Sequence, residues 1–198
     1  MPIGITFDET MEGTFALGQT EPAAGTAAGR RSGDRLAMHA TVTIPDLDAF
    51  IADPKHLGQL KGSIDLTPFG SGIAAASGVF NLFSPSAKPG LKHMVYELAF
   101  RHDGKDHYLA GRKEVHDDPG VDIWSDTTTL FTTLHQGRDA KGPVIGAGIL
   151  RLDMGDFLKL MSTIKVTGSK STKERAATVA KFGRFFMGQL WNTYGPEL

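Results

Sequence analysis

The stretch KHMVYELAFRHDGKDHYLAGRKEVH, residues 92–116, decides the fold class. Met94, Tyr96, Leu98 and Phe100 alternate with Val95, Glu97, Ala99 and Arg101, and Leu109 and Val115 recur on alternate positions beyond Asp103-Gly104. A period of two sends successive side chains to opposite faces of a strand. Asp-Gly between two such runs suits a two-residue turn whose central residues take positive φ. With Asp103 and Gly104 at the centre, Leu98 faces Leu109 and Arg101 faces Asp106, so like chemistry meets on each face. Moving the turn to Gly104-Lys105 pairs Glu97 with Arg112 and Phe100 with Leu109 instead; the first register is preferred. In either register the segment is an antiparallel hairpin.

The same alternation extends outward from this hairpin. Residues 3–18 carry Ile3, Ile5 and Phe7, then Met11, Gly13, Phe15 and Leu17, and read as one bent strand or two short ones. Residues 35–45, 58–66, 76–84, 127–135 and 143–152 read as further strands, with a short last one at 163–168. Asp46 and Asp153 each open a short helix, and Asp46 can accept a backbone N–H of the first turn. The two strand-to-helix segments, 40–51 and 148–158, echo each other over about 11 residues, either as a duplication or as reuse of one capping chemistry. Ser171-Thr172-Lys173-Glu174 is a capping box. From it a long helix runs through 171–194, with Val179, Phe182, Phe186 and Leu190 as its buried stripe, widened by Phe185, Met187 and Trp191. Residues 19–34 are small, polar and Gly-rich and read as a flexible loop. The expected architecture is therefore one mainly β domain over residues 1–198. It is an antiparallel meander, barrel-like or sandwich, with two short helices and a long C-terminal helix packed on it.

Composition excludes several kinds of chemistry. The 198 residues include 24 Gly and no Cys, which removes disulfides, thiolate metal sites and Cys nucleophiles. A net charge of -1 argues against a nucleic-acid partner. No apolar run approaches the length of a membrane span, and the first residues do not read as a signal peptide, so the expected compartment is the cytoplasm. No Gly-x-Ser-x-Gly elbow, dinucleotide fingerprint or Walker loop is present, and Ser71 reads as a loop serine. No cofactor is expected.

Three constellations remain. His116-Asp117-Asp118-Pro119-Gly120-Val121-Asp122 is rich in oxygen ligands, which makes Asp117, Asp118 and Asp122 weak candidates for a hard cation, although Asp-Asp-Pro-Gly is also a good turn. No histidine pair has zinc-site spacing; His39 reads as lying on a polar strand face, and His102 and His107, flanking the turn, as exposed. Acid–base residues converging from separate strands would be drawn from His116, Asp118, Tyr96 and Lys113. Phe80, Phe83, Tyr96, Tyr108, Trp124 and Phe131 lie on strands or their connections and could line a cavity for an apolar ligand, or be core. Residues 68–84 could instead form an exposed patch for a partner or a membrane surface.

The segments ATVTIPDLDAFIADP (40–54), GVFNLFSP (78–85), HMVYELAF (93–100), YLAGRKEVHDDPG (108–120), DTTTLFTTL (126–134) and KFGRFFMGQLW (181–191) resemble a domain of some large bacterial proteins. Those proteins carry a cholesterol-oxidase-like dehydrogenase of the glucose–methanol–choline family, at times with an α/β-hydrolase region. The resemblance spans roughly residues 5–194 and concerns the accompanying domain, so neither activity carries over. It implies a setting of sterols or other lipids and an oxidoreductase partner. The leading expectation is a non-catalytic accessory or ligand-binding domain for a lipid- or sterol-like molecule. The alternatives are an enzyme with converging acid–base residues and a pure protein-interaction domain, with homo-oligomers allowed in each.

Overall fold

The computed structural model describes residues 1–116, 123–153 and 162–194. Eight antiparallel strands follow one another round a closed barrel: β1 (Gly4–Leu17), β2 (Arg35–Ile44), β3 (Leu57–Leu66), β4 (Gly70–Pro85), β5 (Leu91–His102), β6 (Lys105–His116), β7 (Thr129–Gln136) and β8 (Val144–Arg151). The barrel closes because β1 pairs on both sides, with β2 from Ile5 to Thr14 and with β8 through Glu12 and Phe15–Leu17. A short β9 (Lys165–Thr167) pairs with the first residues of β1. Closure selects the barrel over the sandwich and leaves the eight strands few free edges.

The hairpin register is the preferred one. Leu98 pairs with Leu109 and Arg101 with Asp106, and Asp103 (φ 48°) and Gly104 (φ 75°) are both left-handed. The expected single or double N-terminal strand is one strand of 14 residues. Inward positions are large and apolar, and Phe15 fits because β8 places Gly146 and Gly148 beneath its ring. A Cβ at either glycine would lie within 2.8 Å of that ring.

The helices depart from expectation in places. Residues 19–34 are not a loop: Pro22–Ser32 forms α1. Pro22 presets φ at the first turn, the alanines favour helix, and Gly33 (φ 82°) closes it by donating to the Gly29 carbonyl. Gly25 and Gly29 share one face and let α1 lie directly on the outside of the β1–β8 seam, where a Cβ on Gly25 would fall 1.9 Å from the Ala147 carbonyl oxygen. α2 (Leu47–Ala52) forms as expected, with Asp46 accepting from Asp48 and Ala49 N–H. α3 (Ile123–Thr128) precedes β7, where the Thr-rich strand was expected to start. The second short helix falls mostly on residues 154–161, outside the described residues, and so does the end of the echo segment 148–158.

α4 (Thr172–Tyr194) is the long C-terminal helix. Its box is realised as Ser171 Oγ accepting from Glu174 N–H, while the Glu174 carboxylate accepts from Lys170 N–H. Its buried stripe is Thr178, Phe182 and Leu190, flanked by Phe185 and Phe186. Val179 and Met187, expected in the stripe, are exposed, because the stripe follows the barrel end rather than the richest apolar run. Among the described residues no helix is long and apolar enough to cross a membrane.

Candidate functional site

The inward phase of the strands is mainly apolar; His107 and Thr132 interrupt it with neutral groups, and one pair interrupts it with charge. Glu9 on β1 and Lys113 on β6 face inward, each with 2% side-chain exposure, and Lys113 Nζ lies 2.9 Å from Glu9 Oε1. Tyr96 on β5 donates its hydroxyl to Glu9 Oε2 at 2.8 Å. Lys113 Nζ also sits 4.8 Å from the centre of the Tyr96 ring. β1 and β5 are four steps apart around the barrel, so the triad spans it from wall to wall. Gly111, opposite Tyr96 in the register, leaves room for Leu130 of β7, whose side chain a Cβ there would meet at 2.8 Å. Burial first, then the Glu9 carboxylate, push the Tyr96 hydroxyl well above the usual phenol range. A buried carboxylate and ammonium are tolerated only as such a hydrogen-bonded pair. The three atoms together offer a nucleophile, a proton acceptor and a hydroxyl donor.

Above the triad the barrel mouth is aromatic. The Phe80 ring packs 5.2 Å from Tyr96, Phe7 lies 6.3 Å from Phe80, and Phe182 of α4 lies 6.1 Å from Phe7. Phe186 packs on Phe83, and Phe185 on Phe50 and His56. Two of the rings that meet α4 are held by unusual backbone. His56 (φ 44°) and Phe83 (φ 51°) are non-glycine residues in the left-handed region. At Phe83 the β4–β5 register shifts between Asn81 and Ser84, so that Leu82 and Phe83 are buried in succession. α4 is further held by the Lys181–Asp48 ion pair and by Lys92 donating to Gln189.

The opposite end is closed by Phe69, stacked 4.3 Å from His102 and edge-on to His107. His107 is buried against Phe100 and is not the exposed turn residue expected, since it holds the inward phase of β6. Burial holds its ring below the usual histidine range.

The six candidate ligand-binding residues separate. Phe80, Phe83 and Tyr96 are interior. Tyr108 lies on the outer face, its hydroxyl on Glu97 Oε2, and Phe131 lies there with 39% exposure; both have the opposite strand phase from Tyr96. They therefore cannot line the cavity with the others. Trp124 falls in α3, and its side chain is outside the described residues. Of the acid–base candidates, Tyr96 and Lys113 converge. His116 takes the phase opposite to the buried Val115; its backbone N–H donates to Asp126, and its ring approaches Glu114. Asp117, Asp118 and Asp122 lie outside the described residues. Among those described, no group of three His, Asp or Glu side chains is placed to hold a metal ion. Residues 68–84 are not an exposed apolar patch, because Phe80, Leu82 and Phe83 turn into the barrel, although Val79 is exposed.

Glu9 was missed. Its signal is that it occupies the apolar phase of β1, between Phe7 and Met11, where an outward carboxylate would break the alternation.

A second polar line runs over the outer face of β1–β3. Thr10 Oγ1 is 3.2 Å from His39 Nδ1, and His39 Nε2 is 3.3 Å from Asp65 Oδ2, which places His39 on the polar face as expected. Asp65 accepts from Gly72 N–H, and this bond first, then His39, lowers its carboxyl. It borders a groove of about 360 Å³ lined by Glu12, Arg35, Thr67 and Ser71 among others. No protein family, curated protein or solved structure matches the chain.

Proposed function

We propose that the barrel is a non-catalytic binding module for an apolar, lipid- or sterol-like molecule, admitted at the end that α4 covers. The observation that carries this reading is the stack of phenylalanines from α4 down to a buried polar triad, with strained backbone at His56 and Phe83 where the helix docks. A hydrocarbon body would replace the ring contacts of Phe182 and Phe186, and one oxygen function would meet Glu9, Tyr96 and Lys113. Buried rings, Phe7, Phe80 and Phe182 among them, stand between α4 and the triad, so binding on this reading requires α4 to move. In the setting implied by the resemblance, such a module would serve an oxidoreductase partner.

The test is titration of the purified full chain with fluorescent fatty-acid and sterol probes, together with mass spectrometry for co-purified lipid. Saturable binding that is faster in Lys181→Ala, which lacks the α2–α4 ion pair, is expected. Absence of probe binding and of bound lipid overturns the reading.

A second reading, acid–base chemistry on the outer face, is favoured by the Thr10–His39–Asp65 line beside its groove. It predicts hydrolysis of a small activated ester that His39→Ala abolishes. Hydrolysis equal in both proteins removes it.

A further inference from the structure

We infer that Lys113 captures an apolar aldehyde as a reversible imine inside the barrel. The inference rests on the binding reading above and adds a chemical class to it. Lys113 is the one buried lysine among the described residues. Its neighbours supply what imine formation needs. An ammonium must lose a proton before it can attack, and Glu9 Oε1 at 2.9 Å receives it. The free amine pair on Nζ then attacks the carbonyl carbon, forming a C–N bond while the C=O π pair moves to oxygen. That oxygen takes the proton from Glu9, giving a carbinolamine. Loss of water, with a second proton delivered from nitrogen through Glu9, breaks the C–O bond and leaves the imine with one proton still on nitrogen. Protonated, the imine carries the same single positive charge as the original ammonium. In sum, ammonium and aldehyde give iminium and one water, with no oxidant or reductant.

The product also fits the electrostatics. The iminium keeps Glu9 as counter-ion and the Tyr96 face beside it, so no new buried charge is created. Tyr96, donating to Glu9 Oε2, holds that carboxylate with its other oxygen towards Nζ. Around this point most inward residues are hydrocarbon or thioether, among them Met11 on β1, Met94 opposite Lys113, Phe80 and Val115, with Thr132 on β7 as a hydroxyl. They select an apolar chain. A terminal carbonyl suits the site better than a ketone, because a second carbon substituent would have to be packed among side chains that are already buried, Met94 and Tyr96 among them.

The wild-type full chain is incubated with tetradecanal and sodium cyanoborohydride, which reduces iminium to a stable amine, and the labelled lysine is located by peptide mass spectrometry. The parallel measurement is displacement of a fluorescent fatty-acid probe by tetradecanol, which cannot form an imine. Labelling of Lys113 exceeding any exposed lysine by roughly tenfold or more is expected, from positioning of the reactants. It should fall towards the level of exposed lysines in Glu9→Gln, with the fold checked by circular dichroism. Labelling spread over exposed lysines without preference overturns the inference. If tetradecanol displaces the probe while Lys113 stays unlabelled, imine capture is wrong and the binding reading stands. If neither compound binds, both are wrong.

Discussion

Replacing Lys113 by Met should destabilise the barrel far more than replacing Lys113 and Glu9 together. At 2.9 Å the pair attracts by about 6 kcal/mol at an effective dielectric constant of ~20. Removing both ions from water costs several kcal/mol each, so the net contribution of the intact pair is small. Lys113→Met keeps the cost of burying Glu9 and loses the attraction, leaving only the Tyr96 hydroxyl on the carboxylate. The expected loss is about 3–5 kcal/mol. Glu9→Gln leaves the Lys113 charge facing a neutral amide and should also cost stability. In the Glu9→Gln/Lys113→Met double variant no charge remains, and Gln can still accept from Tyr96. Its loss should be about 1 kcal/mol or less, well below that of Lys113→Met. Urea unfolding at constant slope reads all four proteins as a double-mutant cycle. Additive losses, with the double variant as unstable as the two singles summed, would refute the claim that the two groups are coupled in the barrel interior.

Other outcomes follow from the packing and the titrating groups. Gly25→Val puts a side chain where α1 touches the Ala147 carbonyl and should cost about 2 kcal/mol, with proteolysis appearing within 19–34. Asp46→Ala removes the acceptor of two N–H groups and should lower stability by about 1 kcal/mol, measured by thermal melting. Phe182→Ala should cost about 3 kcal/mol, whereas Val179→Ala on the outer side of α4 should change little, about 0.5 kcal/mol at most. Burial holds His107 and His93 below the usual histidine range. Their contribution is complete above the unfolded value of about 6.5 and is lost as pH falls towards their folded values, since the unfolded chain then binds more protons. The urea midpoint should therefore drop between about pH 7.5 and pH 5.5. His107→Phe, which keeps ring contacts with Phe100 and Phe69, should flatten part of that slope.

Local pairing was legible because strand phase is a property of near neighbours. Met94 to Val115 contains both faces and the turn, so its register could be read without the rest of the chain. Closure was not legible, since the pairing of Phe15 with Gly148 joins residues too distant for any local pattern to connect. α1 is not legible locally because glycine signals turns in isolation, whereas Gly25 and Gly29 are small for the sake of a surface that the sequence does not display. Two of the three groups of the interior site, Tyr96 and Lys113, are legible as candidates. Glu9 was visible only as an omission in an apolar rhythm, and the outward phase of Tyr108 and Phe131 could be set against Tyr96 only once the strands were placed in one sheet.

The double pairing of β1 bears on the order in which the chain can be assembled. β1 leaves the ribosome just ahead of β2 and finds it at once, but its other edge waits for residues 146–151, by which time β2 to β7 have emerged. Throughout that interval a nascent chain carries an open sheet with an unpaired rim on either side, the state most exposed to pairing with other chains. α1 emerges early, directly after β1, and its place is on the wall that will later include β8. During synthesis it is thus positioned to shield the waiting strand, and a chain whose α1 is weakened should show its defect in yield at expression before it shows one in the stability of the finished barrel.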